Sequence, residues 1–132
     1  MKTRFTTIIL LSMFLFFSCS SENEKLTDCI EYQKVFVDEV NGPSTANVGE
    51  TINIEVKFRV YNGCGRFLEF IETGTEFNKT IEVKAIYKGC ICTLNIPTRT
   101  AIYKFTPSQP GEYKLKFRTV NNDFIILNIT VS

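Results

Sequence analysis

The sequence reads as all-β: an antiparallel sandwich of about seven short strands behind an N-terminal leader. Three observations point there. Residues 51–60 alternate polar and apolar without a break, a period of two that suits a half-buried strand and that a helix cannot use. Similar runs recur along the rest of the chain with Gly, Pro and Asn clusters between them, as in sandwich domains. No segment shows a 3.6-residue apolar period, and there are no internal repeats.

The first 18 residues read as a signal peptide and lie outside the fold. Lys2 and Arg4 supply its positive start, and residues 5–17 form an uncharged stretch rich in Ile, Leu and Phe. That stretch has 13 residues, short of the ~20 needed to span a bilayer as a helix. Phe16-Phe17-Ser18-Cys19 follows, and then the polar Ser20-Ser21-Glu22-Asn23-Glu24-Lys25. A small residue directly before a cysteine at this place resembles a bacterial lipobox, although Phe16 and Phe17 stand where Leu and a small residue are usual. The resemblance implies that Cys19 becomes the lipidated N-terminus and anchors the chain to the outer membrane of a bacterial cell envelope, periplasmic or surface-exposed. Small Bacteroidetes-type lipoproteins look similar, and Glu22 and Glu24 echo the acidic residues behind the cysteine in their exported members. Residues 19–28 are then a tether, and residues 29–132 are the domain.

Within the domain, the strands are expected in this order. Residues 35–40 form the first, and residues 51–60 the second, bounded by Asn41-Gly42-Pro43 and Gly49-Glu50. Residues 67–71 are evenly apolar and read as a central strand. Ile81, Val83, Ala85 and Tyr87 alternate with Glu82, Lys84 and Ile86; Ala101, Tyr103 and Phe105 follow. Pro107 and Pro110-Gly111 turn the chain into Tyr113, Leu115 and Phe117, and residues 124–131 close the domain. The order looks like an immunoglobulin-like sandwich. Its best local match is Pro110-Gly111-Glu112-Tyr113-Lys114-Leu115-Lys116-Phe117, where the resemblance implies that Tyr113 bonds back to the corner backbone.

Cys29, Cys64, Cys90 and Cys92 are an even set in an exported chain, which favours disulfides. If consecutive strands run antiparallel, all four fall at one end of the sandwich. Cys90 and Cys92 would have Cα atoms about 6.6 Å apart in extended backbone, near the limit for a bridge between them. Each is therefore expected to bond outward, one to Cys29 and one to Cys64, with the sequence leaving open which. The spacing matches neither the paired C-x₂-C ligands of structural zinc nor a C-x-x-C redox motif at a helix start.

The chain has 132 residues, 15 Lys+Arg, 14 Asp+Glu and no His or Trp. Histidine-dependent catalytic and metal sites are thereby excluded. The net charge of +1, without a basic cluster, gives no footprint for nucleic acid. Loss of Lys2 and Arg4 with the leader leaves a mature charge of −1. Glu69 and Glu72 lie three apart on one strand and face opposite sides, a poor acid/base pair. No cofactor or metal is expected, nor enzymatic activity. The stripe Lys114, Lys116 and Arg118 reads as a solvated face or a weak anion or polysaccharide contact. The expected function is a lipid-anchored binding or accessory module for a protein or glycan, with Tyr61, Asn62, Arg66, Asn121, Asn122 and Asp123 as recognition residues at the cysteine end. The alternative is a structural envelope subunit acting by strand addition through residues 124–127, apolar on both faces.

Overall fold

Alternation along residues 52–60 is realised residue by residue. Ile52, Ile54, Val56, Phe58 and Val60 are buried, whereas Asn53 and Arg59 face solvent and Glu55 and Lys57 are half-buried. The structure is a computed structural model that describes residues 29–132; the leader, Cys19 and the tether lie outside the described residues. Among the described residues there are nine strands: β1 (Ile30–Val35), β2 (Val37–Asn41), β3 (Thr45–Ala46), β4 (Ile52–Arg59), β5 (Gly65–Gly74), β6 (Asn78–Lys88), β7 (Thr98–Phe105), β8 (Gly111–Arg118) and β9 (Phe124–Val131).

They form the two layers of a β-sandwich. The smaller sheet runs β2-β4-β7, and the larger runs β1-β6-β8-β9-β3 with β5 on the other side of β6. Apolar residues from both inner faces make one core, with Ile54, Val56 and Phe58 against Ile81, Val83, Leu115, Phe117 and Ile129, all fully buried. Tyr103 meets Phe117 edge-on across the layers, with ring centroids 5.9 Å apart.

Three details depart from the sequence reading. The expected first strand, residues 35–40, spans the junction of two. Its first residue ends β1, whose residues 30–34 the sequence reading assigned to no strand, and residues 37–40 lie in β2. β1 pairs with β6 in one sheet and β2 with β4 in the other. Val35 and Val37 are both buried, one in each sheet, with Phe36 at the crossing. This split, and the two-residue β3, raise the strand count from about seven to nine. Two pairings are parallel, β3 with β9 and β6 with β8, and the rest are antiparallel.

β5 is an edge strand, not a central one, and pairs with β6 alone. Its even apolarity has another cause. A bulge between Phe67 and Glu69 turns the strand, and Phe67 and Phe70 then reach across the open side of the sandwich. Phe67 lies 6.1 Å from Phe58 and Phe70 lies 5.2 Å from Tyr103, centroid to centroid. The aromatic seam closes the gap between the two edge strands.

Tyr113 makes the expected corner. Its hydroxyl donates to the Gln109 carbonyl at 2.8 Å and accepts from the Gln109 N–H at 3.3 Å, pinning the turn before β8 to the core.

Candidate functional site

All four cysteines of the domain lie at the end where β4 finishes, β5 starts and β6 finishes, as antiparallel strand order requires. Cys29 is bonded to Cys90 and Cys64 to Cys92, with Cα–Cα distances of 5.0 and 5.5 Å. Both bridges converge on the loop 89–97. Its backbone is held as well: Gly89 N–H donates to Cys29 O at 2.9 Å, Gly63 N–H to Thr93 O at 3.0 Å, and Val60 N–H to Pro97 O at 3.2 Å. Gly89 has a φ of +135°, a conformation other residues rarely adopt. Gly63 is needed for close approach, since a Cβ there would sit 1.9 Å from Thr93 Oγ1.

Fixed in this way, the loop has no core to cover. Ile91 is 93% exposed, Leu94 94% and Ile96 62%. These are the most exposed of the large apolar side chains among the described residues. The signal was legible: three aliphatic residues lie between Gly89 and Pro97 in a stretch too broken for a strand.

The residues expected to recognise a partner at this end mostly hold it together. Tyr61 stacks on Tyr87 at 6.1 Å, its N–H donates to the Tyr87 hydroxyl, and its own hydroxyl donates to Lys34 O. Burial raises the Tyr87 phenol above its ordinary pKa. Asn62 Oδ1 accepts the Cys64 N–H at 3.0 Å. Arg66 donates to the carbonyls of Gly63 and Gly65, which also accept from Arg99.

Asn121, Asn122 and Asp123 do not join this group. β1 takes the edge of β6 from Val83 to Lys88, and β8 takes the same edge only from Asn78 to Ile81. β8 must therefore end beside Glu82, six residues (roughly 20 Å at strand rise) short of Lys88. The β8–β9 turn points toward the cysteine end without reaching it. Asn121 and Asn122 both have a φ of +59°, which Asn tolerates better than most residues, and the Asn122 side chain accepts from Arg118 at 2.7 Å.

A second feature covers the outer face of the larger sheet. By strand alternation and register, Lys34, Arg66, Lys84, Lys88, Lys114, Lys116 and Arg118 share this face with Glu69, Glu82 and Glu112. Glu82 bridges Lys34 and Arg118 at 2.7 and 2.8 Å, and Glu69 meets Lys84 at 3.1 Å. Lys84 lies over the Tyr32 ring, and Lys116 and Arg118 lie over Phe124. The outer face of the smaller sheet is balanced by comparison. Arg59 forms two hydrogen bonds of 2.7 Å to Asp38, Lys57 pairs with Glu39, and Glu55 and Lys104 complete the set.

At the opposite end a shallow depression of about 220 Å³ is lined by Glu72, Glu76, Lys79 and residues 73–75. Its carboxylates are occupied. Glu72 pairs with Lys79 at 2.8 Å, and Glu76 accepts from Ser108 and Gln109. Burial alone would raise the Glu72 pKa, but hydrogen bonds from Lys79 and Tyr103 hold it lower. Glu69 and Glu72 face opposite sides of β5 and each has its own lysine. All four cysteine sulfurs of the domain are consumed in bridges, and no cluster of potential metal ligands occurs among the described residues.

Residues 54–131 match the family model of the ORF11 beta-sandwich domain, a span from the second core position of β4 to the last residue of β9. No curated protein and no solved structure matches the chain.

Proposed function

This chain belongs to the ORF11 beta-sandwich domain family, and from that premise we propose that it is a lipid-anchored, non-enzymatic binding module of the bacterial cell envelope. Its recognition surface is the outer face of the larger sheet and its partner an acidic glycan. One observation carries this reading. Seven basic side chains share that face with three acidic ones, in a mature chain of net charge −1. Tyr32 and Phe124 lie among the cations, and sugar rings stack on such aromatic surfaces while carboxylate or sulfate groups pair with Lys and Arg. Of the residues singled out in the sequence, Arg66 lies on the face and Asn122 borders it through Arg118. Two disulfides suit an oxidising compartment, in keeping with the leader and the lipobox-like Cys19 of a Bacteroidetes-type lipoprotein.

Affinity electrophoresis through gels containing an acidic polysaccharide tests the reading. The expected result is retardation of the protein that weakens with salt, is absent in neutral dextran, and is lost in K114E/K116E. Equal mobility of wild type and variant in every gel would reject glycan binding by this face. The anchor is tested apart from it, by the mass of the mature N-terminal peptide, which should carry acyl chains on Cys19.

A second reading, a structural subunit acting by strand addition, draws on β9. Beyond Thr130 and Val131, which pair with β3, no described strand covers its outer edge. Concentration-dependent assembly abolished by Ile126→Pro would favour that reading over the first.

A further inference from the structure

We infer that the disulfide-clamped loop is a membrane-docking tip: Ile91, Leu94 and Ile96 insert into the interfacial layer of the bilayer that carries the lipid on Cys19. The inference rests on the lipid-anchor reading and adds to it which end of the domain faces the membrane.

The chain enters the domain at Cys29, which is bonded to Cys90, the residue before Ile91. Cys29 is ten positions after Cys19, a reach of at most roughly 33–36 Å. A lipid on Cys19 therefore keeps this end beside the bilayer at high effective concentration. It presents three aliphatic side chains 93, 94 and 62% exposed, and the exposed Thr93 and Asn95 between them are joined by a hydrogen bond from the Thr93 hydroxyl to Asn95 Oδ1. Two bridges and three backbone hydrogen bonds already order the loop, so docking loses little chain entropy. Lys88, Arg66 and Arg99 stand against Glu31 at this end, the Arg59–Asp38 pair cancels, and the tether adds Lys25 against Glu22, Glu24 and Asp28, so the aliphatic side chains and not net charge carry the docking. A protein hot spot would centre on Trp, Tyr or Arg; here Tyr61 is stacked on Tyr87 and both arginines are tied to glycine carbonyls. With the tip down, the strands stand away from the membrane and the basic face is left open beside it.

The test uses the mature chain with Cys19→Ser, which cannot be acylated, sedimented with phosphatidylethanolamine vesicles with and without phosphatidylglycerol. Binding is expected with both compositions, and I91S/L94S/I96S should lower the partition coefficient at least about tenfold. Intact mass of the triple variant with and without reductant confirms that both bridges remain. A Cys19→Ser chain that stays in the supernatant, or a triple variant that binds equally, overturns the docking. A concentration-dependent dimer that the triple variant abolishes would assign the tip to a second copy and also overturn it. Acylation of Cys19 in the native protein is read separately. An acylated chain whose Cys19→Ser form ignores vesicles rejects the tip but keeps the anchor; an unacylated chain rejects the anchor.

Discussion

Removing the bridge between Cys64 and Cys92 should be a costly change that leaves the core intact. The bridge closes 28 residues. The chain-entropy relation gives a loss of about 12 cal/mol/K for that loop, or roughly 3.6 kcal/mol at 25 °C. The 61-residue loop between Cys29 and Cys90 gives roughly 4.3 kcal/mol by the same relation. The two loops overlap from 64 to 90, and loss of both should therefore fall short of the sum. Cys64 and Cys92 are only half-buried, and Cys64→Ala with Cys92→Ala adds little packing loss. Domains of this size have total stabilities of about 5–15 kcal/mol, and a loss near 3.6 kcal/mol should lower Tm by roughly 15–30 °C. Urea unfolding followed by circular dichroism, without reductant, is the assay. The midpoint should fall and the m-value should rise, because the denatured chain is less constrained. A double variant within about 0.5 kcal/mol of wild type would refute the reasoning.

Other consequences follow from single side chains. Tyr113→Phe removes a hydroxyl that both donates to and accepts from Gln109, and should cost about 1 kcal/mol in the same assay. A loss under about 0.3 kcal/mol would mean that packing alone holds the corner. Burial and the neighbouring Glu72 push the Tyr103 phenol well above its ordinary value of 10.0. The unfolded chain then releases this proton first, and stability present below pH 10 falls as the pH rises past it. Tyr103→Phe should flatten that alkaline slope, and an unchanged slope would contradict the shift. Glu72 is held below 4.5, so its contribution is present above that pH and lost as the pH falls through the folded value. Glu72→Gln should remove this part of the acid slope in thermal melts between pH 5 and 2.

Much of the layer structure was legible in alternation. The even positions of β4, residues 81, 83, 85 and 87 of β6 and residues 113, 115 and 117 of β8 bury as the pattern reads. Alternation records which side chains go inward but not which sheet takes the backbone. The crossing at Phe36 therefore looked like one continuous strand, with Val35 and Val37 inward on both sides of it. The edge position of β5 was hidden for a related reason: Phe67 and Phe70 are apolar because they span the open side, and a buried central strand would read the same. Strand order brought the four cysteines together, but partner choice depends on loop detail that spacing does not encode. Polar and aromatic loop positions read as recognition residues, and Tyr61, Asn62 and Arg66 among them hold the loops together instead. By itself the apolar character of Ile91, Leu94 and Ile96 does not show their exposure, since apolar residues ordinarily read as core.

The chain contains no tryptophan, and Leu94→Trp therefore gives a single fluorescent reporter on the tip. Val48→Trp, in the exposed turn whose N–H groups bond Ser132 and Pro107 at the opposite end, is the control. Each substitution is made in the Cys19→Ser chain, and vesicles containing phosphatidylglycerol are added. Emission from the Leu94→Trp chain should shift to the blue and become shielded from an aqueous quencher, while that from the Val48→Trp chain stays unchanged. Unshifted, fully quenchable emission from both chains, or a blue shift from the Val48→Trp chain alone, would contradict docking by the disulfide-clamped end.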